Sequence, residues 1–365
     1  MDYRFSEFDP LAQGRAERLR QLMSIWNQLL LALDGDVDQS LQYLDQIGRK
    51  HGLFDRNFTI ADWQRYLTEQ RSIAPDGRGG NALTKKGERG LRSASLEQVF
   101  GSLDSDREGQ HRVPAAGAGL ERLPETQPWS FGDPLHLLDP IETLSNAVKR
   151  GGIDEISIGE EDLRVYETEH LSSCATVLMI DVSHSMILYG EDRITPAKRV
   201  ALALCELITT RYPKDVLHVV LFGDTAWEVS MSEIPYLGAG PYHTNTRAGL
   251  QLARDILRRR KQANRQIIML TDGKPSALTE RNGEIYKNPN GLDRRVVNKT
   301  LEEATECRRV GIPITTFMLT RDRLLVDFVE RFTELNRGRA YYSELDNLGS
   351  FLLVDYMQNR KRRVR

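Results

Sequence analysis

From Cys174 onward the chain switches repeatedly between strand-length apolar runs and amphipathic helical stretches, and that alternation leaves few folds open. Strand patterns at 175–180, 217–222, 226–229, 266–270, 312–318 and 339–342 are interleaved with helical patterns at 196–211, 247–260, 293–310, 324–335 and 345–356. Strands separated by helices predict a mostly parallel sheet flanked by helices, because each parallel connection has to cross over a face of the sheet. Thr195 is expected to cap the helix over 196–211, with Pro196 at its first position. This α/β region covers 172–358, and 359–365 form a basic tail.

The preceding half follows a different period. Leu19, Leu22, Met23, Trp26, Leu29, Leu30 and Leu33 recur at three and four residues, the spacing of a helix with one buried face. Leu41, Leu44 and Ile47 continue that period in a second helix, and Thr59 caps a third that carries Trp63, Tyr66 and Leu67. After turn chemistry at 74–80, the segment 83–103 is helical again, with Leu96, Val99, Phe100 and Leu103 on one side. These patterns predict a smaller helical N-terminal domain over 1–103. The Gly-, Pro- and charge-rich stretch 104–134 reads as a flexible linker. Residues 135–171 read as a connecting helix through Ile141, Leu144 and Val148, followed by edge strands or a hairpin at 155–158 and 163–166.

Composition limits the function classes. With 40% hydrophobic residues among 365, the chain can bury a sizeable core. Lys and Arg total 50 against 52 Asp and Glu, a net charge of −2, which excludes the overall basic excess of a nucleic-acid coat. The basic runs 258–261 and 360–365 lack interleaved aromatics and read as solvated charge. No apolar run approaches the roughly 20 residues of a spanning helix, and Met1-Asp2-Tyr3-Arg4 does not open a signal peptide, so a cytoplasmic protein is expected. Cys174, Cys205 and Cys307 sit in apolar surroundings without a Cys-x-x-Cys pair and read as reduced core residues, not as a disulfide framework or a zinc site.

The residues that carry chemistry stand where strands end. Asp181-Val182-Ser183-His184-Ser185 follows the first strand of the α/β region and places a carboxylate and two hydroxyls at alternate positions. Thr271-Asp272-Gly273 follows another strand, with the glycine allowing a sharp turn, and the loop 240–246 between them offers Thr244. Open parallel sheets gather ligands at the carboxyl ends of their strands. Asp181, Ser183, Ser185, Thr244 and Asp272 form an all-oxygen set suited to a hard cation, Mg²⁺ (or Mn²⁺), and leave a coordination position for an outside acidic group.

In these three segments the sequence resembles the von Willebrand factor type A (VWA) family, whose metal-ion-dependent adhesion site (MIDAS) reads Asp-x-Ser-x-Ser, then Thr, then Asp. The match falls on Asp181, Ser183, Ser185, Thr244 and Asp272 and spans about half of the chain. The resemblance implies a Rossmann-like VWA domain with the ion at the top of the sheet. Thr195-Pro196-Ala197-Lys198, the run 209–213, the run 240–246 and the run 271–276 are similar to bacterial intracellular VWA proteins that accompany magnesium-chelatase-like or MoxR-type AAA+ ATPases. That likeness implies an adaptor whose protein partner is the ATPase or its client. The N-terminal half does not resemble the ATPase module of a chelatase subunit.

Competing readings are weaker. Asp-x-Ser after a strand is similar to the aspartyl-nucleophile phosphatases, but Ser183 cannot replace their second acid, so metal-dependent hydrolysis is disfavoured and the chain is read as no enzyme. Gly273-Lys274-Pro275-Ser276 lacks the first glycine of a phosphate loop, Ile268 standing there, and Pro275 removes an amide donor. A nucleic-acid role would rest on the basic runs alone. His184 and His243 flank ligand positions and are expected to pack or hydrogen-bond beside the site. The segment 273–291 is either a solvated loop or a specificity loop near the open position.

Overall fold

The computed structural model describes residues 10–105, 122–130, 138–152, 156–168, 173–190, 192–262, 264–288, 292–319, 322–342, and 352, 355 and 356. The chain divides into two compact units, one joining 1–110 with 173–365 and the other formed by 111–172. The larger unit begins with helices α1 (Pro10–Ala32), α2 (Val37–Lys50) and α3 (Ile60–Glu69). Then follow a hairpin of β1 (Ile73–Pro75) and β2 (Asn81–Leu83), and helix α4 (Lys85–Ser105). Side chains meet the free amides at the helix starts: Asp36 accepts from the N–H of Gln39, and Asp62 accepts from both the N–H and the hydroxyl of Thr59. The predicted turn at 74–80 is the hairpin loop, where Asp76 accepts from the N–H groups of Arg78 and Gly80.

The smaller unit holds β3 (Arg122–Pro128), α5 (Pro140–Gly151) and β4 (Arg164–Thr168), with β3 and β4 paired antiparallel. Its helix starts at Asp139, whose carboxylate accepts from the N–H groups of Ile141 and Glu142. Two expectations are corrected here. The linker drawn over 104–134 includes β3, which is ordered by its ladder to β4 and not by an apolar pattern of its own; 106–121 and 131–137 lie outside the described residues. The strand expected at 155–158 is not formed over its described residues: Ile156 and Ile158 are 48% and 56% exposed, and the Ser157 carbonyl accepts from Arg150 at 2.7 Å instead of from a neighbouring strand.

The rest of the larger unit is an α/β sheet domain. Its elements are β5 (Cys174–Asp181), α6 (Ile194–Arg211), β6 (Val216–Phe222), β7 (Ala226–Val229), α7 (Thr246–Arg258), β8 (Asn264–Thr271), the short strands β9 (Ala277–Thr279) and β10 (Ile285–Lys287), α8 (Arg294–Arg309), β11 (Ile314–Met318), α9 (Arg323–Asn336) and β12 (Arg339–Tyr342). Six strands form one sheet in the order β12-β11-β8-β5-β6-β7, all parallel except β7, which runs antiparallel to β6. The mostly parallel sheet flanked by helices is therefore the observed architecture. The helix expected over 345–356 lies outside the described residues apart from Leu352, Asp355 and Tyr356.

Strand β5 is central and buried along its whole length. Alternate residues serve opposite faces: Ala175, Val177 and Met179 join Leu250, Leu257, Leu301 and Phe332 of α7, α8 and α9, whereas Leu178 and Ile180 join Val200, Leu204 and Ile208 of α6. The core on the α6 face continues into Leu22, Trp26, Leu30, Leu41, Trp63 and Leu91. The N-terminal helices, expected as a domain of their own over 1–103, thus share a core with the sheet. Helix α6 explains this, since Val200 through Cys205 are all buried and an apolar surface on every side needs cover on every side. Polar links fasten the contact: Lys198, fully buried, donates to Asp34 at 2.7 Å, and Glu206 accepts from Arg92 at 3.2 Å and from Ser93 at 3.1 Å.

The start of α6 also differs from expectation. The helix begins at Ile194, so Thr195 lies in its first turn and its N–H is capped by Asp192 at 3.0 Å. No described helix is long and apolar enough to cross a membrane. Cys174, Cys205 and Cys307 are buried and in no disulfide, and burial pushes the thiols of Cys205 and Cys307 up to about 12.

Candidate metal centre

The chain leaves β5 in one direction toward α6 and β6, while β8, on the other side of β5, is entered from α7. Such a reversal of strand order opens a crevice at the carboxyl ends of the strands. Asp181 is the last residue of β5 and Asp272 follows the last residue of β8; both are almost wholly buried. One oxygen of Asp181 accepts from the Ser183 N–H at 2.9 Å, and the other accepts from the Thr271 hydroxyl at 2.7 Å. The hydroxyls of Ser183 and Ser185 are hydrogen-bonded at 2.9 Å. Gly273 follows at a φ of 85°, the left-handed turn that glycine makes without strain, and Lys274 donates its N–H to Asp272 at 3.2 Å.

Thr244 comes from the third segment. Its N–H donates to the Ser276 hydroxyl at 3.0 Å, and its carbonyl accepts from the N–H groups of Ser276 and Ala277. The loop before it is laced to the Ser183 turn by two backbone bonds, Gly240 N–H to the Val182 carbonyl and His184 N–H to the Tyr242 carbonyl, each 3.0 Å. Burial, followed by the charge of Asp272, pushes the Asp181 carboxyl up to about 7. Two carboxylates that oppose each other's ionisation, set among hydroxyls, are a donor set that a hard divalent cation would favour in its charged form.

Residues 174–357 match the family described as Rv0959-like protein, vWA domain, and residues 121–168 match the third domain of the same proteins. The chain belongs to the Rv0959-like vWA proteins. The uncharacterized protein Rv0959 of Mycobacterium tuberculosis (strain ATCC 25618 / H37Rv) is 33% identical over 381 residues, covering 98% of this chain and 54% of its own length. Protein Mb0984 of Mycobacterium bovis gives the same figures, so the chain spans about half the length of these curated relatives. Among solved structures, the vWF domain of the type V pili tip protein Mfa5 from Porphyromonas gingivalis aligns with a TM-score of 0.41 at 14% identity, over 53% of this chain and 98% of that one. The PilB minor pilin from Streptococcus sanguinis aligns with a TM-score of 0.42 at 13% identity, over 57% of this chain and 66% of that one.

In this Rv0959-like chain the vWA sheet brings the three segments of the candidate site to one end, and it adds residues that the motif does not contain. Thr271 holds Asp181, Ser276 holds the Thr244 segment, and Asn245 donates to the Asp224 carbonyl and to the Thr279 hydroxyl. Buried Arg193 lies 3.9 Å from Asp272. His184 is exposed, and His243 lies 3.6 Å from Asp224, beside the site. Among the described residues no group of three or more His, Cys, Asp and Glu side chains gathers as a metal cluster. The solvated-loop reading of 273–291 is corrected: Pro275 through Leu278 are buried, β9 pairs with β10, and Lys287 reaches Asp224 at 2.6 Å, while 289–291 lie outside the described residues. Arg258, Arg259, Arg260 and Lys261 are exposed at the end of α7, and the tail 359–365 lies outside the described residues.

Proposed function

We propose that the centre holds one Mg²⁺ (or Mn²⁺) and uses it to recognise an acidic group on a protein partner. Ser183, Ser185 and Thr244 would be direct ligands, and Asp181 and Asp272 would coordinate directly or through bound water. The observation that carries the reading is the convergence of an all-oxygen set from three chain segments at the carboxyl end of the sheet. When bound, the ion supplies positive charge and an open position. The protein's own groups do the positioning: Thr271 and the Ser183 N–H orient Asp181, Ser276 orients the Thr244 segment, and Tyr242 and His184 stand exposed near the mouth.

In this reading the chain is a cytoplasmic adaptor whose partner is an AAA+ ATPase of the magnesium-chelatase or MoxR type, or that ATPase's client. Support comes from the likeness of the runs at 195–198, 209–213, 240–246 and 271–276 and from three buried cysteines in no disulfide, as a reducing compartment favours. The reading assigns no turnover to the chain, because the site offers charge and a ligand position and not a nucleophile beside a base. Calorimetric titration tests it: the wild type should bind one Mn²⁺, and folded Asp181→Ala and Thr244→Ala should lose it. Equal binding by all three overturns the assignment.

A further inference from the structure

A guanidinium is built into the wall of this centre. Arg193, the residue before α6, is 8% exposed, and its N–H donates to the Met186 carbonyl at 3.0 Å. Its Nη1 donates to the Ser185 carbonyl at 3.3 Å and lies 3.9 Å from Oδ2 of Asp272. Ser185 and Asp272 belong to the five-residue donor set, so this charge sits against the site and not at its rim. An arginine stays protonated at any working pH, and a buried charge is screened far less than a surface one.

We infer that Arg193 makes the ion-loaded centre cationic and so couples ion binding to the arrival of a single carboxylate from the partner. The inference rests on the metal reading above. A divalent ion on ionised Asp181 and Asp272 is neutral, and Arg193 leaves one positive charge in excess. The other nearby acids are engaged elsewhere: Asp224 pairs with Lys287 at 2.6 Å, Asp34 with Lys198 at 2.7 Å, and Asp192 caps α6 through the Thr195 N–H. The ion alone therefore binds against Arg193, whereas the ion together with an acidic side chain binds with it. The partner group that fits is one aspartate or glutamate side chain.

The test is the Mn²⁺ affinity of the full chain, by calorimetry, with and without propionate as a stand-in for a glutamate side chain. Wild type, Arg193→Gln and Arg193→Lys are compared. Propionate should tighten Mn²⁺ binding to the wild type. Arg193→Gln should bind Mn²⁺ alone roughly tenfold more tightly than the wild type and lose most of the propionate effect. Arg193→Lys, which keeps the charge, should behave as the wild type. A glutamine variant that matches the wild type in both respects overturns the role of Arg193 and leaves the metal site standing; no Mn²⁺ binding by any of the three overturns both. If Arg193→Gln does not fold, the wild type still decides. Propionate and Mn²⁺ must then raise each other's affinity by the same factor, and no mutual effect refutes the inference.

Discussion

Both carboxylate oxygens of Asp181 are engaged inside the protein, one by the Ser183 amide and one by the Thr271 hydroxyl. Thr271 also accepts from the Gly273 N–H at 3.0 Å, so one hydroxyl ties the end of β5 to the turn that carries Asp272. Thr271→Val keeps the shape and removes both bonds. In EDTA it should lower stability by about 1–3 kcal/mol, seen as a lower urea midpoint with an unchanged slope, and Thr271→Ser should recover most of the loss. The five donor residues were legible because carboxylates and hydroxyls at the ends of apolar runs stand out. Thr271 was not, because a β-branched residue closing a strand reads as ordinary strand filling. Its role depends on β8 lying beside β5 with Ile180 opposite Leu270, a register that no local pattern states.

At the scale of elements, the strands of the sheet and the helices on its far face follow the predicted order, because period two and period 3.6 each record a single buried side. Helix α6 breaks that rule. The run Val200-Ala201-Leu202-Ala203-Leu204-Cys205 has no polar side, and this is the sequence signal for a second covering layer that separate treatment of the two halves passed over. Lys198 sits in this layer, and its burial lowers its pKa while Asp34 opposes the shift. Asp34 is half exposed, so the pair is unequal: Asp34→Ala strands a buried charge, whereas Lys198→Met leaves Asp34 to water. Asp34→Ala should be the more destabilising change. Its cost should also depend on pH, because losing Asp34 lowers the Lys198 pKa further. Where the folded state binds fewer protons than the unfolded one, stability rises with pH. The deficit of Asp34→Ala relative to the wild type should therefore be largest at low pH and shrink as pH rises through the two lowered folded pKa values toward the ordinary lysine value. Urea melts from pH 6 to pH 10, taken as approximate working limits, check this; a deficit that does not change with pH contradicts it.

For the larger unit as a whole, the core shared across α6 predicts one cooperative structure and not a helical domain beside a sheet domain. Native-state hydrogen exchange should give the slowest amides of α2 and α3 the same opening free energy as those of β5 and β8, to within about 1 kcal/mol. A helical layer that opens several kcal/mol below the sheet would show two independent domains. The enclosure of α6 also bears on how such a chain can change over generations. A new side chain on α6 has to satisfy the sheet on one side and the helical layer on the other, so lasting changes there must arrive as matched sets. Helices α7 and α8 each keep an outward side on which residues such as Asp255 and Glu302 are exposed, and there single changes can accumulate one at a time. Lineages of this protein would diverge first along those outer surfaces, with the helix behind the centre holding its sequence longest.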